Sequence, residues 1–181
     1  YCISETSVSF FTIRPETKET QPTPKNNIRI KDIDAGDDLK YGQIGEICVS
    51  GPSVMLGYHN NKDATDEIMW EEDGVRWMHT GDLGYVTKEG YFFISGRIKR
   101  LLWTVGKDEI PMRVYPMAIE KVLAEHPAIK ESTVVGALNR DRGYLAIAYI
   151  VLNEGHCLSK ALERELENLC KSRLPAYSVP A

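Results

Sequence analysis

The hydrophobic period of this sequence changes once, near Lys99, and that change constrains the fold more than any other feature. Before it, apolar residues recur at alternate positions in short runs broken by turn residues, the pattern of half-buried strands. IRIKDID (residues 28–34) is followed by an AGDD turn, and QIGEICVSG carries Ile44, Ile47 and Val49 as its apolar markers. A short helix is expected after Asn61, because KDATDEIM places acids early and Ile68 and Met69 late. Acidic residues 66–73 then read as solvated helix and loop. Three strand-like runs follow, VRWMHT, LGYVT and YFFISGR, the last two joined as a β-hairpin across Lys88, Glu89 and Gly90.

After Lys99 the periods of helix and strand alternate. LLWTV reads as a buried strand, and Pro116 opens a helix with Ile119, Val122 and Leu123 on one face, ended by His126 and Pro127. STVVGAL and LAIAYIVL are two apolar strands joined by a polar turn at Arg140, Asp141 and Arg142. Ser159 is placed to cap a helix whose stripe is Leu162, Leu166 and Leu169, closed by Pro175. The expected fold class is α+β: a β-rich module over residues 1–98, then a small α/β module over 99–181. Each half is small, so the first reads as a piece of a larger domain. Trp70, Trp77 and Trp103 are expected to be packing residues.

Composition narrows the function classes. Of 181 residues, 43% are apolar and 27% charged, which excludes a disordered chain. The net charge of −4 argues against a nucleic-acid binder driven by bulk charge. The longest apolar run, residues 145–152, is far shorter than the roughly 20 residues of a spanning helix. No membrane span is expected. The opening residues show no basic and apolar leader, and Cys2, Cys48, Cys157 and Cys170 lie far apart, as reduced thiols of a cytoplasmic protein would. His59, His79, His126 and His156 show no zinc-ligand spacing, so a transition-metal site is set aside.

The segment WMHTGDLGYVTKEGYFFISGRIKR (residues 77–100) carries the chemistry. Thr80, Gly81 and Asp82 put a carboxylate beside a glycine turn between two strands, where it could accept two hydrogen bonds from the vicinal diol of a ribose. Arg97, after Gly96 at a strand end, has a planar fork suited to the same sugar or to a phosphate. Each residue alone reads equally well as a turn cap or a surface arginine.

In order the chain gives YCISET, GEICVSGPSVMLGYHNNKDAT, WMHTGDLGY, KEGYFFISGRIKR, a helix ending in HPAIKESTVVGAL, and RLPAYSVP. In order and spacing this resembles the carboxy-terminal part of the adenylate-forming enzymes: acyl-CoA synthetases, luciferases and peptide-synthetase adenylation domains. The resemblance covers essentially the whole chain. It implies that residues 1–98 end a large AMP-binding domain and that residues 99–181 form its mobile lid, lacking the last strand. It further implies that Tyr1 stacks on adenine, Ser4 touches phosphate and Glu5 binds magnesium. Asp82 would grip the ribose hydroxyls, Arg97 the ribose and phosphate, and Ile94 would pack near the nucleoside. Lys99 falls on the hinge, and Gly106 on the loop that lines the tunnel for the CoA thiol.

The implied activity is that of an AMP-forming acyl-CoA synthetase: ATP and a carboxylic acid, expected to be fatty, form an acyl-adenylate, and CoA then displaces AMP. Gly96-Arg97-Ile98-Lys99 is closer to the acyl-CoA synthetases than to the peptide-synthetase domains. Two alternatives stand beside it, a ligase that loads an amino or fatty acid onto a carrier protein, and a paralogue that binds nucleotide without turnover. Cys2 in place of a glycine, Ser4 in place of threonine, the long path KDEIPMRVYPMAIE with Ala118 at a usual glutamate, and Tyr144 at another depart from the family pattern. The resemblance also implies that the phosphate-wrapping loop precedes Tyr1 and that the adenylation lysine lies beyond Ala181. The 181-residue chain alone is therefore expected not to form acyl-adenylate.

Overall fold

The computed structural model describes residues 11–13, 20–22, 26–105 and 110–181. The chain divides into two compact units, Tyr1–Ile98 and Lys99–Ala181. Strand and helix both contribute, giving the expected α+β class. Tyr1, Cys2, Ser4, Glu5 and Gly106 lie outside the described residues.

The first unit is one antiparallel sheet. Its strands are β1 (Phe11–Ile13), β2 (Thr20–Pro22), β3 (Asn27–Lys31), β4 (Gly45–Ser50), β5 (Met69–Glu72), β6 (Val75–Val86) and β7 (Phe92–Arg97). The order is β1-β2-β7-β6-β4-β3, with β5 also pairing to β6. Ile30, Ile47, Val49, Val54, Met78 and Phe92 form its core, and each such side chain contributes about 1.5–3 kcal/mol on burial. The helix α1 (Lys62–Ile68) starts where Asn61 Oδ1 accepts the Ala64 amide at 3.1 Å.

Two parts of this unit differ from the sequence reading. The acidic run after α1 is not loop: Met69–Glu72 forms β5, turning back into β6 through Asp73 and Gly74. Both turn residues have positive φ, 53° and 72°, as the two-residue hairpin turn whose twist matches the strands requires. The Asp-Gly pair was the legible signal. VRWMHT and LGYVT are likewise not two strands but the single 12-residue β6, with Gly81 inside it at φ 69°. The hairpin from β6 to β7 does turn at Lys88, Glu89 and Gly90, closed by Thr87 N–H to Tyr91 C=O at 2.9 Å.

The second unit is a four-stranded antiparallel sheet with two helices. It contains β8 (Leu102–Val105), β9 (Pro111–Val114), α2 (Pro116–Leu123), β10 (Ile129–Asn139), β11 (Gly143–Leu152) and α3 (Lys160–Arg173), in sheet order β10-β11-β8-β9. Pro116 begins α2 because its missing N–H would have no helical partner there. Ser159 caps α3, its Oγ accepting the Leu162 amide at 3.2 Å. The buried line of α3 is Leu162, Leu166 and Cys170, with Leu169 only partly buried. These pack with Val114, Ile119, Val122, Leu123, Ile129, Val134 and Ala146. The long path after Gly106 contains a strand, β9, which pairs with β8 from Leu102↔Val114 to Val105↔Pro111. Trp103 is 42% exposed, with the Arg113 guanidinium over its ring, so it is not a core residue.

Candidate functional site

The long strand β6 carries the site because it loses register with β4. Glu46 pairs with Leu83 and Cys48 with His79, so three residues of β6, Thr80, Gly81 and Asp82, face the single residue Ile47. Such a bulge re-aims side chains at a sheet surface. Its backbone groups find substitutes for the missing ladder: Thr80 Oγ1 donates to the Ile47 carbonyl at 2.7 Å, and the Asp82 amide donates to Thr80 Oγ1 at 3.1 Å. Across the other edge, β7 pairs Asp82 directly with Arg97, and a second register shift follows between Leu83 and Gly84.

The two residues singled out by chemistry thus meet. Arg97 Nε lies 2.8 Å from Asp82 Oδ1, and the exposures are opposite: the Asp82 side chain is 2% exposed and that of Arg97 is 64% exposed. The second carboxylate oxygen, Oδ2, is buried and has no hydrogen-bond partner among the described residues. A carboxylate accepts at both oxygens, and an unsatisfied buried acceptor is costly. Burial pushes the Asp82 carboxyl above the usual range, and Arg97 pulls it back only in part. A hydroxyl donor brought to Oδ2 would supply the missing bond. The residues present therefore fit a ribose, whose vicinal hydroxyls donate in pairs, beside an arginine fork open to solvent.

The other expected residues are placed differently. Ile94 pairs with Gly84 on β7 and packs against the core of the first unit. Lys99 is exposed in a single 3-10 turn, Ile98–Arg100, and is the first residue of the second unit. Beside it, Arg100 Nη2 pairs with Glu120 Oε1 at 2.5 Å, and the same carboxylate oxygen accepts the Val134 amide at 2.8 Å.

Sequence spacing missed one cluster. Glu46, Cys48 and His79 each offer one possible metal-ligating atom, all within 4.8 Å of one another. The group assembles only through cross-strand register, and so is invisible to a search for closely spaced ligands. Its geometry is that of hydrogen bonding: His79 Nδ1 lies 2.7 Å from Glu46 Oε2 and 3.7 Å from Cys48 Sγ. Burial, then the Glu46 carboxylate, pushes the Cys48 thiol up, which favours the protonated thiol over the thiolate a metal needs.

This arrangement sits in a chain that two family models match in order. Residues 1–59 match the AMP-binding enzyme model, and residues 118–181 match the AMP-binding enzyme C-terminal domain; together they cover more than half of the chain. The chain belongs to the adenylate-forming superfamily. Among adenylate-forming relatives, a luciferin 4-monooxygenase of Luciola mingrelica is 36% identical over 96% of this chain and 30% of its own length. A long-chain-fatty-acid–CoA ligase of Bacillus subtilis (strain 168) is 36% identical over 88% of this chain and 26% of its own. Among solved structures of adenylate-forming enzymes, o-succinylbenzoate CoA synthetase (MenE) of Bacillus subtilis with its acyl-adenylate intermediate OSB-AMP matches at a TM-score of 0.80 and 33% identity, over 100% of this chain and 35% of that one. The anthranilate CoA ligase AuaEII in complex with anthranoyl-AMP matches at 0.84 and 27%, over 99% and 34%. The chain spans about a third of the length of the relatives it matches. Among the described residues, no helix is long and apolar enough to cross a membrane.

Proposed function

We propose that the protein carrying this chain is an AMP-forming acyl-CoA synthetase. It would activate a carboxylic acid, of the fatty class, with ATP to an acyl-adenylate and pass the acyl group to CoA. The observation that carries the reading is the Asp82–Arg97 pair, with its buried, unpartnered Oδ2 beside an exposed guanidinium. In this role Asp82 fixes the ribose and Arg97 the ribose and α-phosphate, so that nucleotide binding energy orients the reacting phosphorus. Tyr1 and Ser4 would complete the nucleotide site, and Glu5 would hold the magnesium ion that neutralises charge on the phosphate oxygens. Lys99 is the hinge at which the lid would turn between the two half-reactions, and Gly106 belongs to the lid loop that would meet the CoA thiol. A CoA ligase is supported by relatives such as the long-chain-fatty-acid–CoA ligase of Bacillus subtilis (strain 168). The free thiols of Cys48, Cys157 and Cys170 suit a cytoplasmic setting.

The test is acid-dependent exchange of pyrophosphate into ATP by the intact protein, across short, medium and long fatty acids, followed by acyl transfer to free CoA or to a holo-carrier protein. Exchange with a fatty acid, thioester formation on CoA and a raised ATP requirement for exchange in Asp82→Ala are the expected results. Transfer to carrier protein alone would replace CoA as the acceptor. Nucleotide binding without exchange for any acid would refute catalysis.

A further inference from the structure

The bulge that presents Asp82 is held by a residue outside the nucleotide site. Glu46 lies on β4, and its side chain is 12% exposed. One oxygen, Oε1, accepts the Gly81 amide at 3.0 Å; the other, Oε2, faces His79 Nδ1 at 2.7 Å. His79 is the last β6 residue in register with β4 before the bulge, and Gly81 is its middle residue. One carboxylate therefore spans the point where the ladder opens. The Gly81 amide lies in the stretch that has no ladder partner on β4, and Gly81 sits at φ 69°, a conformation glycine adopts without steric cost. The next residue is Asp82.

We infer that Glu46 is a positioning residue for nucleotide binding: its carboxylate clamps the Gly81 peptide and so sets the direction in which Asp82 presents Oδ2. This rests on the reading of Asp82 as the ribose-binding residue. Thr80 shares the task from within the bulge, through the Ile47 carbonyl and the Asp82 amide, whereas Glu46 reaches across from β4 to the Gly81 peptide itself. The role does not require Glu46 to touch the nucleotide. It predicts an effect on affinity rather than on the chemical step, because the ribose is held alike before and during reaction.

The chemistry also predicts which substitutions succeed. In Glu46→Gln the amide oxygen still accepts from the Gly81 N–H, while the amide nitrogen donates to His79 Nδ1 in its other neutral tautomer. Glu46→Asp is one methylene shorter and cannot reach both groups. Glu46→Ala removes the clamp.

The experiment is steady-state kinetics on the intact protein for Glu46→Ala, Glu46→Asp, Glu46→Gln, Asp82→Ala and the double variant Glu46→Ala/Asp82→Ala. A lost charge-assisted hydrogen bond corresponds to about 10- to 100-fold. The ATP KM is expected to rise about tenfold or more in Glu46→Ala and Glu46→Asp, with kcat within about threefold of wild type. Glu46→Gln should restore KM to within about threefold. The double variant should be no weaker than Asp82→Ala alone, since one residue acts through the other. If Glu46→Ala does not fold, Glu46→Asp decides. A raised KM in Asp82→Ala with an unchanged KM in the folded Glu46 variants overturns the inference alone, as do multiplicative effects in the double variant or failure of Glu46→Gln to rescue. An unchanged KM in Asp82→Ala overturns the ribose reading and the inference with it.

Discussion

Replacing Asp82 by Asn should stabilise the folded protein at neutral pH while weakening nucleotide binding. The side chain is 2% exposed, and one of its carboxylate oxygens is unpartnered among the described residues. Leaving a buried acceptor unsatisfied costs about 1–3 kcal/mol, more when it is charged. The compensation from Arg97 is small, because a pair whose cation is 64% exposed is screened by solvent and contributes about 0–1 kcal/mol. The two terms leave ionised Asp82 a net cost of about 1 kcal/mol. The same burial holds the carboxyl above its ordinary value of 3.8, with Arg97 opposing it. A carboxyl whose folded-state pKa is raised contributes its stability fully below the unfolded value. That contribution is lost as pH rises through the folded pKa. Asparagine keeps the shape, does not titrate, and its own unpartnered group, being neutral, costs less to bury. Urea unfolding at a series of pH values from 4 to 8 should therefore show the variant gaining on wild type as pH rises, reaching about 1 kcal/mol, or about 2–4 °C in Tm. Under the proposed ribose role of Asp82, saturating ATP should narrow the gap, because wild type would gain more from the nucleotide than the variant. A variant less stable than wild type at neutral pH, or a difference that does not change with pH, would refute the reasoning.

Three further outcomes follow from the packing and the thiols. At Gly84 an added Cβ would lie 2.5 Å from the Phe93 carbonyl oxygen and 2.8 Å from Ile47 Cδ1, so Gly84→Ala should cost about 1–3 kcal/mol in urea unfolding. It should also weaken nucleotide binding, because the same β6–β7 pairing joins Asp82 to Arg97. Ile119 is fully buried in the second unit, and Ile119→Ala should cost about 2–5 kcal/mol, read as a lower denaturation midpoint. Burial pushes the Cys48 and Cys170 thiols up, whereas Cys157 is exposed. Iodoacetamide at neutral pH, followed by mass spectrometry, should thus label Cys157 and spare the other two until the protein is unfolded.

The α+β class, the hairpin at Lys88, Glu89 and Gly90, the Ser159 cap and the pairing of aspartate and arginine chemistry were legible in the sequence, because each depends on local period or on a residue type with one dominant use. The strand β5 has a local signal in the Asp73-Gly74 turn, which the acidic run before it obscures. Other features had no local signal. That β6 runs unbroken through Gly81 depends on β4 and β7 pairing on either side of it. That Trp103 is exposed while Trp77 is buried depends on which sheet face is covered.

The sequence by itself determined the family, the aspartate and arginine of the proposed nucleotide site and the change of architecture near Lys99. Only the tertiary structure decided how Asp82 is aimed. A register shift places three residues of one strand against one of its neighbour, so Glu46, 36 positions before Asp82, comes to hold the peptide next to it. Register is a property of paired strands, and no single strand contains it.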